Sequence, residues 1–481
     1  MACLPPKSFF DKVFTPSSIA VVGASSDDEK ERRIGWVGRL LQSGYLGKIY
    51  PINPLAEQIL GHKSYRSILE VPEQVEYAVV AVKATEVPRV IEECVAKGVP
   101  VVHIYSAGFG ETGYLGQEGK VLEQQIKKTI IGGKTRVIGP NCMGVYNPKA
   151  SLAFNARFSN RPGTVGAFSQ SGAALMVFIP GANKRGIYFS KVVSYGNAID
   201  LEASDFLEYF AEDPDTRLIF GYIEGVKDGR RFLKIVQESV KKKPIIMLKG
   251  GLTESGRGAV ASHTGSLAGS EQIWEAFFKQ TGVIQVDSFD EAIEQIVAVQ
   301  YLQPVQYGSI AILSRGGGPS VLATDLCERN GISVPALASD VILQLAKIIA
   351  VNAGSSVRNP VEIGLSRYGA PEHYDEAIRI VASDSRINMI LARISFEGSI
   401  QYGVGEKEAD ELARVLIDTV KSLTKPVAVV IDVGYSEETV IPALRVQKKL
   451  SEGGLAVFSS MESAVKAISK LNQYSLRSKS L

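Results

Sequence analysis

Residues 18–26 read SIAVVGASS, an apolar and β-branched run that changes abruptly into glycine and small polar residues. This pattern predicts a buried strand over residues 18–22, a tight turn at Gly23 and then a helix. Ligands bind beyond the carboxyl ends of strands in open α/β sheets, so the turn at Gly23 is a candidate binding site. A tight turn that binds nothing is the alternative interpretation of the same residues.

The same alternation of strand, turn and helix continues along the chain and restarts twice. Further strands are predicted at residues 48–52, 77–82, 101–105, 136–138, 163–168, 191–194, 218–222, 244–248, 283–286, 309–313, 387–394 and 426–431. Strands that alternate with helices indicate parallel sheets covered on both faces, and 481 residues are too many for one hydrophobic core. We therefore predict an α/β protein of three doubly wound domains, with a linker at residues 302–308.

Composition excludes several classes of function. The net charge of +2 gives no reason to expect a nucleic acid or an anionic membrane as partner. No stretch reaches the roughly 18–20 apolar residues that a membrane span needs, and no signal peptide is recognisable. The four cysteines are scattered without metal-ligand spacing, and the four histidines are not paired closely in sequence. We expect a cytoplasmic protein that binds no metal through its own side chains.

Two further loops combine glycine or serine with the start of a helix. Residues 169–172, SQSG, follow a predicted strand, and so do residues 314–318, SRGGG. The N-terminus of a helix offers backbone N–H groups and the positive end of its dipole to an anion. Neither loop matches a nucleophile elbow or a Walker A loop, so the chain offers no triphosphate-hydrolysing site of its own.

The first loop does not have the pattern of an NAD site. Its glycine spacing is not G-x-G-x-x-G, and Asn53 and Pro54 follow the second strand where an NAD site has an acidic residue for the ribose. A dehydrogenase, suggested by the first domain alone, is therefore disfavoured by the sequence.

His263 lies in a segment of Gly, Ala, Ser and Thr, for which we predict an accessible loop. An imidazole that accepts a phosphoryl group must be neutral on the attacking nitrogen, so its other nitrogen needs a fixed acceptor. Glu224, at the end of the strand predicted from residue 218, could supply a carboxylate. A structural histidine and an exposed acid at a strand end are the alternatives.

Four motifs together resemble a known family. They are residues 139–144 (GPNCMG), 169–172 (SQSG), 222–225 (YIEG) and 262–269 (SHTGSLAG). The chain resembles the α subunit of NDP-forming, here ADP-forming, acyl-CoA synthetases, relatives of succinyl-CoA synthetase. The resemblance extends through the third domain, with the glycines at 316–318 and residues 359–362 (NPVE).

The resemblance implies a Rossmann-like CoA-binding domain at residues 1–148 and two flavodoxin-like domains. These are a phosphohistidine domain at 149–303 and a third domain at 304–472, followed by a frayed tail at 473–481. It also implies a three-stage reversible reaction. Phosphate attacks an acyl-CoA to give an acyl phosphate and CoA, the phosphoryl group moves to a histidine, and ADP then receives it.

Site residues follow from the resemblance position by position. His263 would carry the phosphoryl group and Glu224 would orient it. The residues implied to bind phosphate are Asn141, Ser171, Gly172, Gly317 and Gly318. The residues implied to bind coenzyme A are Gly23, Ala24, Ser25, Asn53, Pro54, Val82, Lys83, Ser106 and Ala107.

Nothing in the sequence resembles the ATP-grasp module that binds the nucleotide in this family. The resemblance therefore implies a separate ATP-grasp β subunit that binds most of ADP, ATP and Mg²⁺, in an α2β2 heterotetramer. A small-molecule acyl-CoA would be the substrate. The alternative is a non-catalytic CoA- or nucleotide-binding regulatory protein of the same fold, which would not need His263 together with Glu224.

Overall fold

The computed structural model describes residues 7–25, 35–111, 117–155, 157–264, 269–303, 307–349, 355–363, 371–395, 406–432 and 436–478. The helices are α1 (Lys7–Phe14), α2 (Trp36–Ser43), α3 (Val87–Lys97), α4 (Gln117–Ile130), α5 (Gly172–Lys184), α6 (Ala203–Glu212), α7 (Gly229–Ser239), α8 (Glu254–Thr264), α9 (Glu271–Thr281), α10 (Phe289–Tyr301), α11 (Gly317–Arg329), α12 (Ser339–Ile348), α13 (Pro371–Ala382), α14 (Glu406–Ser422), α15 (Glu437–Glu452) and α16 (Met461–Ser478).

The strands are β1 (Ser18–Val22), β2 (Lys48–Ile52), β3 (Gln58–Ile59), β4 (His62–Lys63), β5 (Tyr77–Val80), β6 (Val101–Ile104), β7 (Arg136–Ile138), β8 (Gly144–Tyr146), β9 (Val165–Ser169), β10 (Phe189–Ser194), β11 (Leu218–Ile223), β12 (Ile245–Lys249), β13 (Ile284–Val286), β14 (Ile310–Ser314), β15 (Val361–Glu362), β16 (Met389–Ser395), β17 (Val427–Asp432) and β18 (Ala456–Phe458). β1, β2 and β7 have the bounds that the sequence predicts.

Three sheets confirm the predicted α/β class. Their strand orders are β2-β1-β5-β6-β7, β13-β12-β11-β9-β10-β8 and β15-β14-β16-β17-β18, beside a small hairpin of β3 and β4. Counted within each sheet, the first and third have the order 2-1-3-4-5, and the second has this order with β8 added at its edge. In such doubly wound sheets the ligand crevice lies between the first and third strands, where the connections diverge.

The first compact unit contains residues 1–183 and 188–287, with the first two sheets. β1 and β5, which pair in parallel, are buried along their whole length. Alternate side chains of the two strands, among them Val22 and Val80, belong to a core that also includes Val90 and Ile91 of α3. Burial on both faces explains why these strands appear in the sequence as continuous β-branched runs.

β8 is a strand that the sequence did not reveal. Although it precedes residue 148, it pairs antiparallel with β10 in the second sheet, with Val145 opposite Val193. A strand of three residues is too short to show a hydrophobic period. The chain therefore enters the second sheet before the end of the predicted first domain.

The second compact unit contains residues 184–187 and 288–481, with the third sheet. Its helices α10 and α16 pack together. Gln295 Nε2 donates to the backbone oxygen of Ala467 at 3.3 Å, and Lys470 pairs with Glu291 at 2.6 Å. Helix α10 thus packs within the second unit, although the predicted boundary after residue 303 assigns it to the preceding domain.

Two predictions for the second unit need correction. The predicted linker at residues 302–308 is partly packed, because Tyr307 is buried and its N–H donates to Asn472 Oδ1 at 2.8 Å; residues 304–306 lie outside the described residues. The predicted frayed tail instead continues α16 as far as Ser478. Burial of Tyr474 and Ser475 holds this last part of the helix, and residues 479–481 lie outside the described residues.

Candidate active site

The carboxyl ends of β9 and β11, the first and third strands of the second sheet, form the candidate site. Gln170 and Ser171 follow β9, and Glu224 follows β11. The side-chain oxygen of Gln170 accepts a hydrogen bond from the N–H of Gly225 at 2.9 Å and another from the N–H of Glu224. Gln170, after β9, therefore fixes the position of Glu224, after β11. Both residues lie at the edge where open α/β sheets bind their ligands.

Glu224 presents one carboxylate oxygen without a partner. The residue is buried, at 5% exposure, and its Oε1 accepts from the Tyr222 hydroxyl at 3.1 Å. Lys249 Nζ donates to its backbone oxygen at 2.8 Å. Among the described residues, Oε2 has no hydrogen-bond partner. Because an unpaired buried carboxylate oxygen is costly, Oε2 is suited to accept a donor that completes the site.

A cavity of about 310 Å³, the site cavity, lies beside Glu224. It brings together residues predicted from separate parts of the sequence, namely Ser106, Ala107, Asn141, Ser171, Gly172 and Glu224. The N–H of Asn141 donates to the backbone oxygen of Ser106 at 2.9 Å, which joins the loops after β6 and β7. Residues implied to bind coenzyme A and residues implied to bind phosphate therefore line the same cavity.

The first turn of α5 faces this cavity. Ser171 caps the helix, since its Oγ accepts from the N–H of Ala174 at 3.2 Å. Ser171, Gly172 and Ala173 all line the site cavity, which places the positive end of the helix dipole there. Backbone N–H groups and a positive dipole end are the features that bind phosphate at helix N-termini.

The residues implied to bind coenzyme A lie along one edge of the first sheet. Asn53 Nδ2 donates to the backbone oxygen of Ala24 at 2.8 Å, and the Ser106 hydroxyl donates to the backbone oxygen of Val82. Gly23 has a φ of +84°, and a Cβ there would lie 2.5 Å from the Ala81 oxygen, so the turn requires glycine. The set follows β1, β2, β5 and β6 and comprises Gly23, Ala24, Ser25, Asn53, Pro54, Val82, Lys83, Ser106 and Ala107.

His263 is the penultimate residue of α8, so the prediction of a loop at this position was wrong. Thr253 begins the helix: its Oγ1 accepts from the N–H of Gly256 at 3.1 Å. Ala259 and Ala261 favour helix strongly enough to offset the two glycines of the segment. Residues 265–268 of the motif lie outside the described residues.

Gly317 and Gly318 begin α11 in the second unit, directly after β14. Gly316 precedes them with a φ of +86°, a backbone conformation that favours glycine. The Glu362 carboxylate, at the end of β15, lies near Gly317, where a Cβ would be 3.6 Å from its Oε1. The structure thus places these two residues at a helix N-terminus, as the sequence predicts.

Three site residues were missed from the sequence. Gln170 and Asn197 line the site cavity, and Lys249 contacts Glu224 from the neighbouring strand. Gln170 belongs to the motif at residues 169–172, but only the structure shows that its side-chain oxygen accepts from the N–H groups of Glu224 and Gly225. Burial lowers the pKa of Lys249 to about 8, although the charge of Glu224 acts in the opposite direction. A lysine at a strand end carries no signal that distinguishes it from a surface lysine.

Within the described ranges, no group of three or more His, Cys, Asp or Glu side chains could hold a metal ion. Over the same residues, no helix combines the length and apolar character that crossing a membrane requires.

Family models match two parts of the chain. A model described as "CoA binding domain" matches residues 17–148, the part that contains the first sheet. A model described as "Succinyl-CoA ligase like flavodoxin domain" matches residues 162–299, which include Ser171, Glu224 and His263.

Two curated relatives and a solved structure each match between 72% and 98% of this chain. The acetate–CoA ligase (ADP-forming) I subunit alpha of Pyrococcus furiosus is 38% identical over 97% of this chain and 97% of its own length. The acetate–CoA ligase (ADP-forming) of Methanocaldococcus jannaschii is 40% identical over 72% of this chain and 48% of its own length. The solved dinucleotide-forming acetyl-coenzyme A synthetase 1 of Ca. Korarchaeum cryptofilum, in complex with phosphate and ADP, has a TM-score of 0.82 and 30% identity, covering 98% of this chain and 97% of that one.

Proposed function

The chain belongs to the family of ADP-forming acetate–CoA ligases as an α subunit, and from this premise we propose that His263 and Glu224 transfer the phosphoryl group in its reaction. It is an ADP-forming acid–CoA ligase, which interconverts acyl-CoA, phosphate and ADP with a carboxylic acid, CoA and ATP. Family membership favours this catalytic role over the regulatory alternative.

The observation that carries the proposal is the unpartnered Oε2 of buried Glu224 in a cavity shared with Ser171 and Asn141. α8 begins shortly after β12, and β12 pairs with β11 so that Ile223 is opposite Lys249. The chain therefore leaves the second sheet beside Glu224 before it reaches His263. A carboxylate at this point can accept the N–H of an imidazole and leave its other nitrogen as the nucleophile.

The proposed chemistry has three steps, in the last of which an oxygen of the ADP β-phosphate attacks the phosphorus on His263, the N–P bond breaks, and ATP and the free imidazole are released. A phosphate oxygen attacks the thioester carbonyl of the acyl-CoA, the C–S bond breaks, and CoA leaves with a proton on sulfur. The imidazole of His263 then attacks the phosphorus of the acyl phosphate, the bond to the acyl oxygen breaks, and the carboxylate leaves. Glu224 steadies the positive imidazole ring, and the N-terminus of α5 at Ser171 and Gly172 holds the phosphate oxygens.

Coenzyme A and phosphate are substrates of this reaction, and the family model for a CoA-binding domain matches residues 17–148. We propose that coenzyme A binds along the edge of the first sheet, from Gly23 to the loop at Ser106 and Ala107. Its thiol end would reach the site cavity, because Ser106 and Ala107 line that cavity together with Glu224. Asn141 completes this proposed phosphate site, and we propose separately that Gly317 and Gly318, at the start of α11, bind phosphate.

We further propose that an ATP-grasp β subunit completes the enzyme as an α2β2 heterotetramer and binds most of the nucleotide and Mg²⁺. The Pyrococcus relative is named as a subunit, and this chain spans 48% of the Methanocaldococcus ligase. We place the enzyme in the cytoplasm. Burial raises the pKa of Cys94 and Cys327 to about 12, so these thiols stay protonated, and neither is in a disulfide.

Labelling of the protein tests the proposal. The purified chain is incubated with labelled orthophosphate and acetyl-CoA, together with its partner subunit, and compared with His263→Asn. Wild type should acquire a label that is stable to base and lost in acid, and the variant should acquire none. A wild-type protein without such a label contradicts the role of His263. ATP synthesis by this chain alone would contradict the need for the partner subunit.

A further inference from the structure

A second cavity, the lysine cavity, lies beside the site cavity in the first unit and has a volume of about 470 Å³. Gln170 and Asn197 line both cavities, so these two side chains stand between them. Lys120 and Lys127 of α4 line the lysine cavity on one side, and Lys227 lines it after β11. None of these three lysines was singled out by the sequence.

Lysines outnumber carboxylates among the residues that line the lysine cavity, by three to two. Lys227 Nζ donates to the backbone oxygens of Asn197 and Ala198, which leaves its charge without a carboxylate hydrogen bond in the described structure. Loss of hydration and the nearby charge of Lys127 lower the pKa of Lys227, so the two ammonium groups lie within electrostatic reach of each other. The charges of Glu123, Glu202 and Asp200 act on this pKa in the opposite direction. Like charges held close together favour a bound anion.

The two carboxylates of the lysine cavity are already engaged. Glu123 Oε1 accepts from Asn197 Nδ2 and from the N–H of Gly110, both at 3.1 Å. Glu202 Oε1 accepts from the Ser204 hydroxyl at 3.1 Å. Among the lining residues, three lysines against two carboxylates give a charge of +1; Glu111, which accepts from Asn197 Nδ2 at 2.6 Å, is not one of the lining residues.

Two buried polar atoms in the wall have no hydrogen-bond partner among the described residues. They are the hydroxyl of Tyr195, which is 1% exposed, and Oδ1 of Asn197, which is 6% exposed. Burial and the charges of Glu202 and Glu224 raise the pKa of Tyr195, so its hydroxyl stays protonated and can donate. The Tyr195 hydroxyl can thus donate a hydrogen bond to a ligand, whereas Asn197 Oδ1 can only accept one.

We propose that the lysine cavity binds orthophosphate and delivers it past Gln170 and Asn197 to the site cavity. Orthophosphate has oxygens to accept from lysine and Tyr195, and at neutral pH it keeps a P–OH that can donate to Asn197 Oδ1. A carboxylate or sulfate ion lacks that proton. If the acyl-CoA occupies the edge at Ser106 and Ala107, phosphate needs a separate approach, and the lysine cavity provides it. This inference rests on the proposed function, in which phosphate is the attacking substrate.

Two variants and one control test the delivery site. Tyr195→Phe removes only an unpartnered hydroxyl, so the fold should be kept, and Lys127→Gln removes one charge from an exposed position on α4. Lys128→Gln makes the same charge change on the next residue, which does not line the lysine cavity.

Each variant is assayed as the full chain with its partner subunit. The KM for phosphate should rise about tenfold in Tyr195→Phe and Lys127→Gln, the effect of one charge-assisted hydrogen bond, and should stay unchanged in Lys128→Gln.

The KM values for acyl-CoA and ADP should stay within twofold in all three variants. A rise in the KM for acyl-CoA equal to that for phosphate would overturn the inference, and so would an unchanged KM for phosphate. Equilibrium dialysis of the full chain with labelled orthophosphate gives a readout that needs no turnover. Wild type and Lys128→Gln should bind phosphate about tenfold more tightly than Lys127→Gln, and acetate at equal concentration should not displace it.

Displacement by acetate at equal concentration would assign the lysine cavity to the carboxylic acid and reject the inference. An enzyme that shows no turnover would count against the proposed function, whereas the dialysis result would still decide whether the lysine cavity binds phosphate.

Discussion

The side-chain oxygen of Gln170 accepts the backbone N–H of Glu224, and it also accepts the N–H of Gly225 at 2.9 Å. One amide oxygen thus fixes the loop that carries the buried carboxylate of the site. Both N–H groups are buried and need an acceptor, so the position of Glu224 depends on Gln170.

Gln170→Met keeps the volume of the side chain and removes this acceptor. Two buried N–H groups then lack a partner, and the free energy of unfolding should fall by about 1–3 kcal/mol. The rate of histidine phosphorylation should fall about tenfold, because the carboxylate is no longer held in place. Denaturant unfolding and rapid-quench labelling measure the two effects. The matched change Gln125→Met, on the exposed side of α4, should leave both unchanged; equal effects would show that Gln170 has no special role.

Glu224→Gln should lower kcat roughly 10²-fold, because a neutral amide cannot steady the imidazolium that forms on phosphoryl transfer. KM for acyl-CoA should change little, since the substitution preserves the shape of the site cavity. Steady-state kinetics and the amount of acid-labile label report the result. Glu118→Gln, at an exposed position on α4, is the control. Wild-type kcat in Glu224→Gln would exclude the carboxylate from phosphoryl transfer.

His103 should make the protein less stable in acid. The ring is buried, its Nε2–H donates to the Cys142 oxygen at 3.0 Å, and burial lowers its pKa to about 4. The unfolded chain takes up this proton near pH 6.5, so between pH 6.5 and 4 it binds more protons than the folded chain. The free energy of unfolding should fall by about 3 kcal/mol over this range as pH falls. Denaturant titrations should show a smaller fall in His103→Gln, and an equal fall would contradict the assignment.

Lys249 should titrate in the folded protein near pH 8, well below an ordinary lysine. Between pH 8 and about 10.5 the unfolded chain holds the proton that the folded chain has released, so this group makes unfolding less favourable as pH rises. NMR titration of labelled lysine side chains measures the pKa directly. Lys249→Met should abolish the signal that titrates near pH 8. A pKa near 10.5 for Lys249 would mean that its ammonium group is better hydrated than its burial indicates.

Gly23→Ala tests the turn that begins the proposed binding edge for coenzyme A. The new Cβ would lie 2.5 Å from the Ala81 oxygen, a backbone atom that cannot move aside easily. Gly61 has nearly the same φ, +81°, but no atom within 4 Å of a new Cβ. Gly61→Ala should therefore cost about 1 kcal/mol for the backbone conformation alone, and Gly23→Ala about 1–3 kcal/mol more.

Kinetics complete the comparison of the two glycine variants. KM for acyl-CoA should rise severalfold in Gly23→Ala and stay unchanged in Gly61→Ala. Equal stability and equal KM in the two variants would show that the approach of Gly23 to Ala81 is unimportant.

The sequence by itself determined the class of fold and the family, from which the chemistry of the site is proposed. Parallel strands buried on both faces must be β-branched runs, so β1, β2 and β7 could be bounded from the sequence alone. Motifs with fixed side-chain requirements, such as those around Ser171, Glu224 and His263, are local and can be recognised without coordinates. Intrinsic residue preferences predicted secondary structure less reliably where helix-favouring and loop-favouring residues are mixed. In α8 the cap at Thr253 and two alanines favour a helix, and the glycines favour a loop.

Only the tertiary structure decided which of these residues meet. Ser171 and Glu224 line one cavity because β9 and β11 are adjacent parallel strands that end at the same edge of the second sheet. Asn141 follows β7 of the first sheet, and its loop is joined to the segment after β10 by a hydrogen bond from the N–H of Asn197 to the backbone oxygen of Pro140 at 3.0 Å. The role of Gln170 depends on which backbone N–H groups lie within hydrogen-bond distance of its side chain, and no local pattern specifies that. The lysine cavity likewise exists because α4 and the segment after β11 are brought together. A sequence records the chemical nature of each group, whereas distance, burial and the charges of neighbours arise only when the chain folds.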